Sequence, residues 1–212
     1  DSINRFGYSA SAISILSSLY EEVGNIDKAV EILMKLEDID TQKGQGYLQI
    51  GNLFYRKSNP QKAIEYFEKY LPFHPASEDV YLFTKLGELY EQIGNINKAV
   101  EYYSKLENIN SFKGQGHFYS GLLYERKERW ADALKEFEYV LEIKPKDSPL
   151  LLKIGKLYEK IGNNRKALEV YEKVIAIDPT KETELTIPMG RLYENIGERE
   201  MAIGLFKRGR ML

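Results

Sequence analysis

The chain of 212 residues contains no cysteine. That removes disulfides, thiolate metal ligands and thiol nucleophiles together, and leaves the redox compartment open, because cysteine-free chains occur on both sides of a membrane. Histidine is nearly absent too: His74 and His117 are the only two, distant from each other and from any evident nucleophile, so both read as packing residues and no metal is called for. No segment approaches the roughly 18 uninterrupted apolar residues of a membrane span, and residues 1–20 lack the basic start and apolar stretch of a secretory leader. Excess charge of either sign is lacking as well. Thirty Lys and Arg stand against 32 Asp and Glu, interspersed, for a net charge of -2; neither nucleic acid nor an anionic membrane surface is favoured as a partner. The chain opens on Asp1 rather than methionine, which suggests a piece of a longer protein, with an upstream signal or anchor left out. The compartment stays open, the cytoplasm being slightly favoured.

What the sequence has instead is a phrase said six times. Gly51, Gly87, Gly121, Gly155 and Gly190 each precede by three residues an aromatic (Phe54, Tyr90, Tyr124, Tyr158, Tyr193) and by twelve an alanine (Ala63, Ala99, Ala133, Ala167, Ala202); Ser17, Tyr20 and Ala29 say it first. A period of 34 to 36 residues is the mark of stacked supersecondary units, and it has to be settled before any local motif. Apolar residues recur at three- and four-residue steps, as in Leu82, Leu86, Leu89, Tyr90 and Ile93, which is the period of a helix buried on one face. Strand-like alternation is not sustained, so the fold class is all-α. Near the middle of five of the repeats stands a break: Gly24-Asn25, Ser58-Asn59-Pro60, Gly94-Asn95, Gly162-Asn163 and Gly197-Glu198. Glycine accepts the left-handed conformation that ends a helix, asparagine caps the next one, and proline suits its first turn. Each repeat is therefore a helix, a tight turn and a second helix, twelve helices in all. Pro75, Pro145 and Pro179 end second helices, and Ser148-Pro149 reads as a cap and first turn.

These residues resemble the tetratricopeptide repeat over nearly the whole chain from about residue 10. The repeats are placed at 10–43, 44–79, 80–113, 114–147, 148–182 and 183–212 of a single array. The resemblance implies a right-handed superhelix, an α-solenoid of antiparallel helix pairs. In it a small residue of the first helix packs against the alanine of the second, and Leu33, Phe67, Tyr103, Phe137, Tyr171 and Phe206 fill the space toward the next repeat. The family's frequent tryptophan is replaced by Ile13, Tyr47, Phe83, His117, Leu151 and Thr186, and repeats one and three end on Thr41 and Ser111 rather than proline. A second periodicity is superposed: residues 19–57 and 89–127 align without a gap at an offset of 70 with 22 identities in 39. The duplicated element was a pair of repeats. Both copies carry Lys-Gly-Gln-Gly, at 43–46 and 113–116.

Lysine among glycines at a helix start invites a phosphate-loop reading, but the required strand and the Gly-Lys-Ser/Thr ending are missing. The preferred reading is that Gly46 and Gly116 let helices approach closely. Acid pairs such as Glu21-Glu22 read as solvated helix faces rather than a catalytic dyad, and most tyrosines fall on core slots. The resemblance further implies that first helices line an inner wall, which here would present Gln45, Gln49, Asn52, Tyr81, Lys85, Glu88, Gln115, Tyr119, Lys153, Lys156 and Arg191. Amides pair with an extended backbone, tyrosines give contact area, and bases attract carboxylates. The carboxylate clamp of co-chaperone members is not matched: its slots read Ser14, Ser18, Gln49, Tyr81 and Lys85 from the first repeat and Leu48, Asn52, Lys85, Gln115 and Tyr119 from the second. No chaperone-tail binding is expected. Pro188 falls inside the first helix of repeat six, which either starts late, near Thr186, or is kinked. The last helix, with Met201, Ile203, Leu205 and Phe206, lacks a polar cap and reads as a sticky edge.

The expected function is a non-enzymatic interaction scaffold that holds a peptide or helix of a partner protein in its groove, without catalytic residues, cofactor, nucleic acid or membrane insertion. Two alternatives stand beside it. One is a self-assembling scaffold, a homo-oligomer through the C-terminal edge or terminal repeats; the other is a regulatory or docking segment of a larger enzyme.

Overall fold

Each tight break in the sequence becomes a left-handed residue followed by a helix, and four of those helices are capped by an asparagine side chain. A computed structural model describes residues 7, 9–39, 42–73 and 79–209; His74, Pro75 and Thr41 lie outside them. Gly24, Gly94, Gly162 and Gly197 have φ between +76° and +84°, and the side chains of Asn25, Asn95 and Asn163 accept from the amides of Lys28, Lys98 and Lys166. In repeat two Ser58 takes φ +54°, Asn59 caps and Pro60 opens the helix. Repeat four breaks without any glycine or asparagine. Glu128 itself adopts φ +57°, and Arg129 occupies the cap with no capping bond from its side chain, which pairs with Asp132 instead.

Two compact units result, residues 1–111 and 112–212. The first contains α1 (Ala10–Glu22), α2 (Ile26–Met34), α3 (Gln45–Arg56), α4 (Pro60–Tyr70), α5 (Val80–Gln92) and α6 (Ile96–Ser104). The second contains α7 (Gln115–Arg126), α8 (Trp130–Ile143), α9 (Ser148–Lys160), α10 (Asn164–Ile177), α11 (Glu182–Asn195) and α12 (Arg199–Gly209). Within each unit consecutive helices pair and each pair packs on the next. The architecture is all-α among the described residues, and no described helix is long and apolar enough to cross a membrane.

The glycines of the repeated phrase have a steric reason. A methyl group at Gly51, Gly87, Gly121, Gly155 or Gly190 would lie within 2.6 Å of the ring of Phe67, Tyr103, Phe137, Tyr171 or Phe206 respectively. The small residue thus makes room for the ring of its own repeat's second helix. That ring is consequently driven into the core: Phe67 and Phe137 are fully buried, each contributing about 1.5–3 kcal/mol by removal from water.

Two expectations are corrected. The cap of α9 is Asp147, whose Oδ1 accepts from Leu150 N at 3.0 Å, with Ser148 and Pro149 in the first turn. The eleventh helix does not start late; it begins at Glu182 and runs through Pro188, and Thr186 Oγ1 donates to the Glu182 carbonyl at 2.7 Å. Repeats one and three dispense with a terminal proline because α2 and α6, nine residues each, close in 3₁₀ turns at Lys35–Asp38 and Lys105–Asn108. Those turns drive Leu36 and Leu106 into the core.

Candidate functional site

In the first unit, side chains from three first helices meet on one face. Ser14 of α1 donates to Gln49 Oε1 of α3 at 3.4 Å, and Tyr81 of α5 donates to Asn52 Oδ1 of α3 at 2.8 Å. Lys85 of α5 donates to the hydroxyl of Tyr55 at 2.8 Å, pairs with Glu88 at 3.0 Å, and lies 4.4 Å from the centre of the Tyr55 ring. Burial alone would lower the Lys85 pKa; the bonds to Tyr55 and Glu88 outweigh it and hold the ammonium above its ordinary value. Of the expected wall residues, Gln49, Asn52, Tyr81, Lys85 and Glu88 are therefore brought together. Tyr81 remains half exposed at 50 %, an aromatic ring held by one polar bond and open to solvent. Gln45 is not part of this cluster, since its side chain bonds Tyr70 of α4.

The same face holds residues the sequence reading did not assign to it. Tyr55 falls at the slot next to the core aromatic and carries no distinguishing signal. Glu21 receives the Arg56 guanidinium through Nε at 3.2 Å and Nη2 at 2.5 Å, with Lys57 at 3.6 Å. The Arg56 bond is the main reason its carboxyl titrates below the ordinary range. Sequence reading left Glu21 as a solvated acid because its partner lies 35 residues away. A cleft of about 210 Å³ opens between α1 and α3, with Ser14, Ser18, Glu21, Gln49, Asn52 and Arg56 among its walls.

In the second unit, Gln115 Nε2 donates to the Tyr119 hydroxyl at 3.4 Å along α7. Lys153 of α9 pairs with Glu125 of α7 at 2.7 Å, so this base is already matched by an acid the sequence reading passed over. Lys156 and Arg191 are exposed on α9 and α11.

Two other sequence candidates resolve as structure. Glu37 spans the start of α3, accepting from Gly44 N at 2.9 Å and Gly46 N at 3.0 Å. The anion that a helix start attracts is thus the chain's own carboxylate. A side chain at Gly46 would lie 2.8 Å from the Leu33 carbonyl, which is the close approach expected there. His117 Nδ1 lies 2.6 Å from Glu136 Oε2 and its ring centre 3.9 Å from that of Tyr139; it packs α7 on α8.

The capped helix pairs, with a ring in each glycine notch, define a class of repeat protein, and comparison with known proteins places the chain in it. Tetratricopeptide repeat family models match residues 10–43, 44–71, 80–112 and 126–185. The chain belongs to the tetratricopeptide repeat family. It is 25% identical over 182 residues to the TPR repeat-containing protein MJ1428 of Methanocaldococcus jannaschii, covering 82% of this chain and 31% of that one; the chain thus spans about a third of that relative's length. The C-terminal part of a TPR repeat-containing protein from Cytophaga hutchinsonii is similar in structure, with a TM-score of 0.66, 18% identity, and coverage of 96% of this chain and 83% of that one. YrrB, described as a TPR protein with an unusual peptide-binding site, has a TM-score of 0.54 at 24% identity, over 81% of this chain and 87% of its own. These likenesses show the solenoid fold.

Proposed function

We propose that the protein is a non-enzymatic scaffold that holds an extended peptide or a helix of a partner protein on the first-helix faces, above all on the face of α1, α3 and α5. The observation that carries this is the Asn52–Tyr81–Lys85–Tyr55 cluster, in which a half-exposed tyrosine and a lysine are pre-set by side-chain bonds rather than left to solvent. Pre-setting lowers the ordering cost of binding, and tyrosine offers a large contact area with few rotors. A solved TPR structure described by its peptide-binding site shares the fold, which supports the reading. Arg56, Lys57 and Lys85 lie on or beside this face with Glu21 and Glu88, so a partner of mixed charge suits it better than a uniformly acidic tail. The test is selection of binders from a random displayed peptide library, followed by calorimetry. Selected peptides should lose about tenfold or more in affinity on Tyr81→Ala, the scale of a buried tyrosine contact. Unchanged affinity in Tyr81→Ala and Asn52→Ala removes this face as the site.

A second reading, self-association through the terminal helices, is favoured by one specific observation. Ile15 and Leu19 of α1 and Val23 at its C-cap form an i, i+4, i+8 stripe that is 63%, 52% and 77% exposed, and Met201 and Ile203 of α12 are 52% and 46% exposed. Light scattering across concentration tests it; a strict monomer at high concentration sinks it.

A further inference from the structure

The internal duplication allows one copy to serve as a template for the other. In the first unit Tyr70, at the end of α4, buries its ring at 3% exposure; its hydroxyl bonds Gln45 at the start of α3 and feels the negative charge of Asp79, the cap of α5. Seventy residues on, the equivalent of Tyr70 is Val140 and that of Gln45 is Gln115, while Asp147 caps α9 as Asp79 caps α5. The phenol is gone while the glutamine and the capping aspartate beside it are kept; Leu48 and Phe73 are replaced by Phe118 and Ile143. In its place the second unit has a cleft of about 190 Å³, floored by Phe118, Val140 and Ile143, walled by Gln115 and Asp147, and rimmed by Lys113 and Lys144.

The size and chemistry of this space limit what enters. An apolar cavity of about 150 Å³ accepts a benzene ring, whereas whole cofactors occupy sites of about 300 Å³ or more. One aromatic ring therefore fits and a nucleotide does not. Asp147 Oδ1 accepts from Leu150 N, and a carboxylate keeps further lone pairs for a hydroxyl donor. Gln115 spends its amide nitrogen on Tyr119, leaving its carbonyl oxygen as a second acceptor. The two lysines at the rim are exposed and favour negative charge beside the entering ring. We propose that this cleft binds the side chain of a tyrosine carried on an acidic segment of a partner protein, the guest ring standing where Tyr70 stands in the other copy. The site lies at the junction of α7, α8 and α9 and does not depend on the α1, α3 and α5 face.

The test is a titration of the full chain, followed by two-dimensional amide NMR, with the capped tripeptide Ac-Glu-Tyr-Glu-amide and its Phe and Ala counterparts. The expected result is saturable shifts at Gly114, Gln115, Phe118 and Ile143, with the Phe peptide several-fold weaker and the Ala peptide silent. Val140→Tyr supplies the ring from within and should weaken the Tyr peptide about tenfold or more, the scale of one lost ring contact and its hydrogen bond. Should that variant not fold, Ile143→Phe, which copies Phe73 of the first unit, occludes the same space and should do likewise. Equal binding of the Phe and Tyr peptides, shifts confined to other residues, or undiminished binding when the cleft is filled would each overturn the proposal.

Discussion

Gly155 and Gly204 both sit in helices, and the same substitution should act on them with opposite signs. At Gly155 a methyl group would run into the Tyr171 ring, which is only 1% exposed and has nowhere to swing. Overpacking costs about 1–3 kcal/mol against a helix-propensity gain of about 1 kcal/mol, so Gly155→Ala should destabilise. At Gly204 nothing lies within 4 Å of the added carbon, and Gly204→Ala should stabilise by about 1 kcal/mol. Urea denaturation of both variants checks the pair; two shifts of one sign would mean that propensity, not the ring, sets the cost. Glu128 is the other informative residue. Its φ of +57° costs about 1 kcal/mol for a residue with a Cβ, so Glu128→Gly should raise stability by up to that amount in the same assay.

At the scale of elements, helices are tied together by tyrosine hydroxyls that donate to glutamates of the neighbouring pair. Tyr90 and Tyr102 both reach Glu68, at 2.6 and 2.9 Å, and Tyr158 reaches Glu138. Burial first, then the Glu138 bond, pushes the Tyr158 hydroxyl from its ordinary value of 10 up to about 12. The folded chain then holds this proton more tightly than the unfolded chain. The associated stability is complete below about pH 10 and is lost as pH rises toward 12. Unfolding free energy measured across that window should fall with pH, and Tyr158→Phe should flatten the slope after costing about 1 kcal/mol at neutral pH; an unchanged slope would place the alkaline loss elsewhere. The helices themselves were legible in sequence because their signals are local: a 3.6-residue apolar period and a Gly-Asn stop. Repeat four shows the limit, since Lys127-Glu128-Arg129 carries no turn signal and adopts the turn only because α7 and α8 pack on either side. The run of α11 through Pro188 was hidden for a related reason, its helix being decided by the buried Leu185, Thr186 and Met189 rather than by proline.

At the scale of the whole molecule, near-zero net charge matters more than any single ion pair. Most surface pairs here, such as Lys28–Glu31 and Lys69–Glu65, are about half exposed and contribute little. With a sequence pI of about 5.9, long-range repulsion between copies vanishes just below neutral pH. If the exposed stripes of α1 and α12 drive association, it should be greatest near pH 6 and fall on Leu19→Lys, as measured by light scattering; the same particle size for both proteins would assign the stripes no such role.

The sequence by itself determined the repeat, its period and its helix pairs, because these follow from spacings within about one helical turn or one hairpin. It also contained the wall residues, as a list. Only the tertiary structure decided which of them meet: that Lys85 is spent on Tyr55 and Glu88, that Lys153 is matched by Glu125, that Glu37 closes the start of α3, and that a cleft opens beside Val140. Those outcomes depend on distances between side chains whose separation in sequence ranges from a single helical turn to about thirty residues, and such distances are set by how helices pack, not by the order of residues along any one of them.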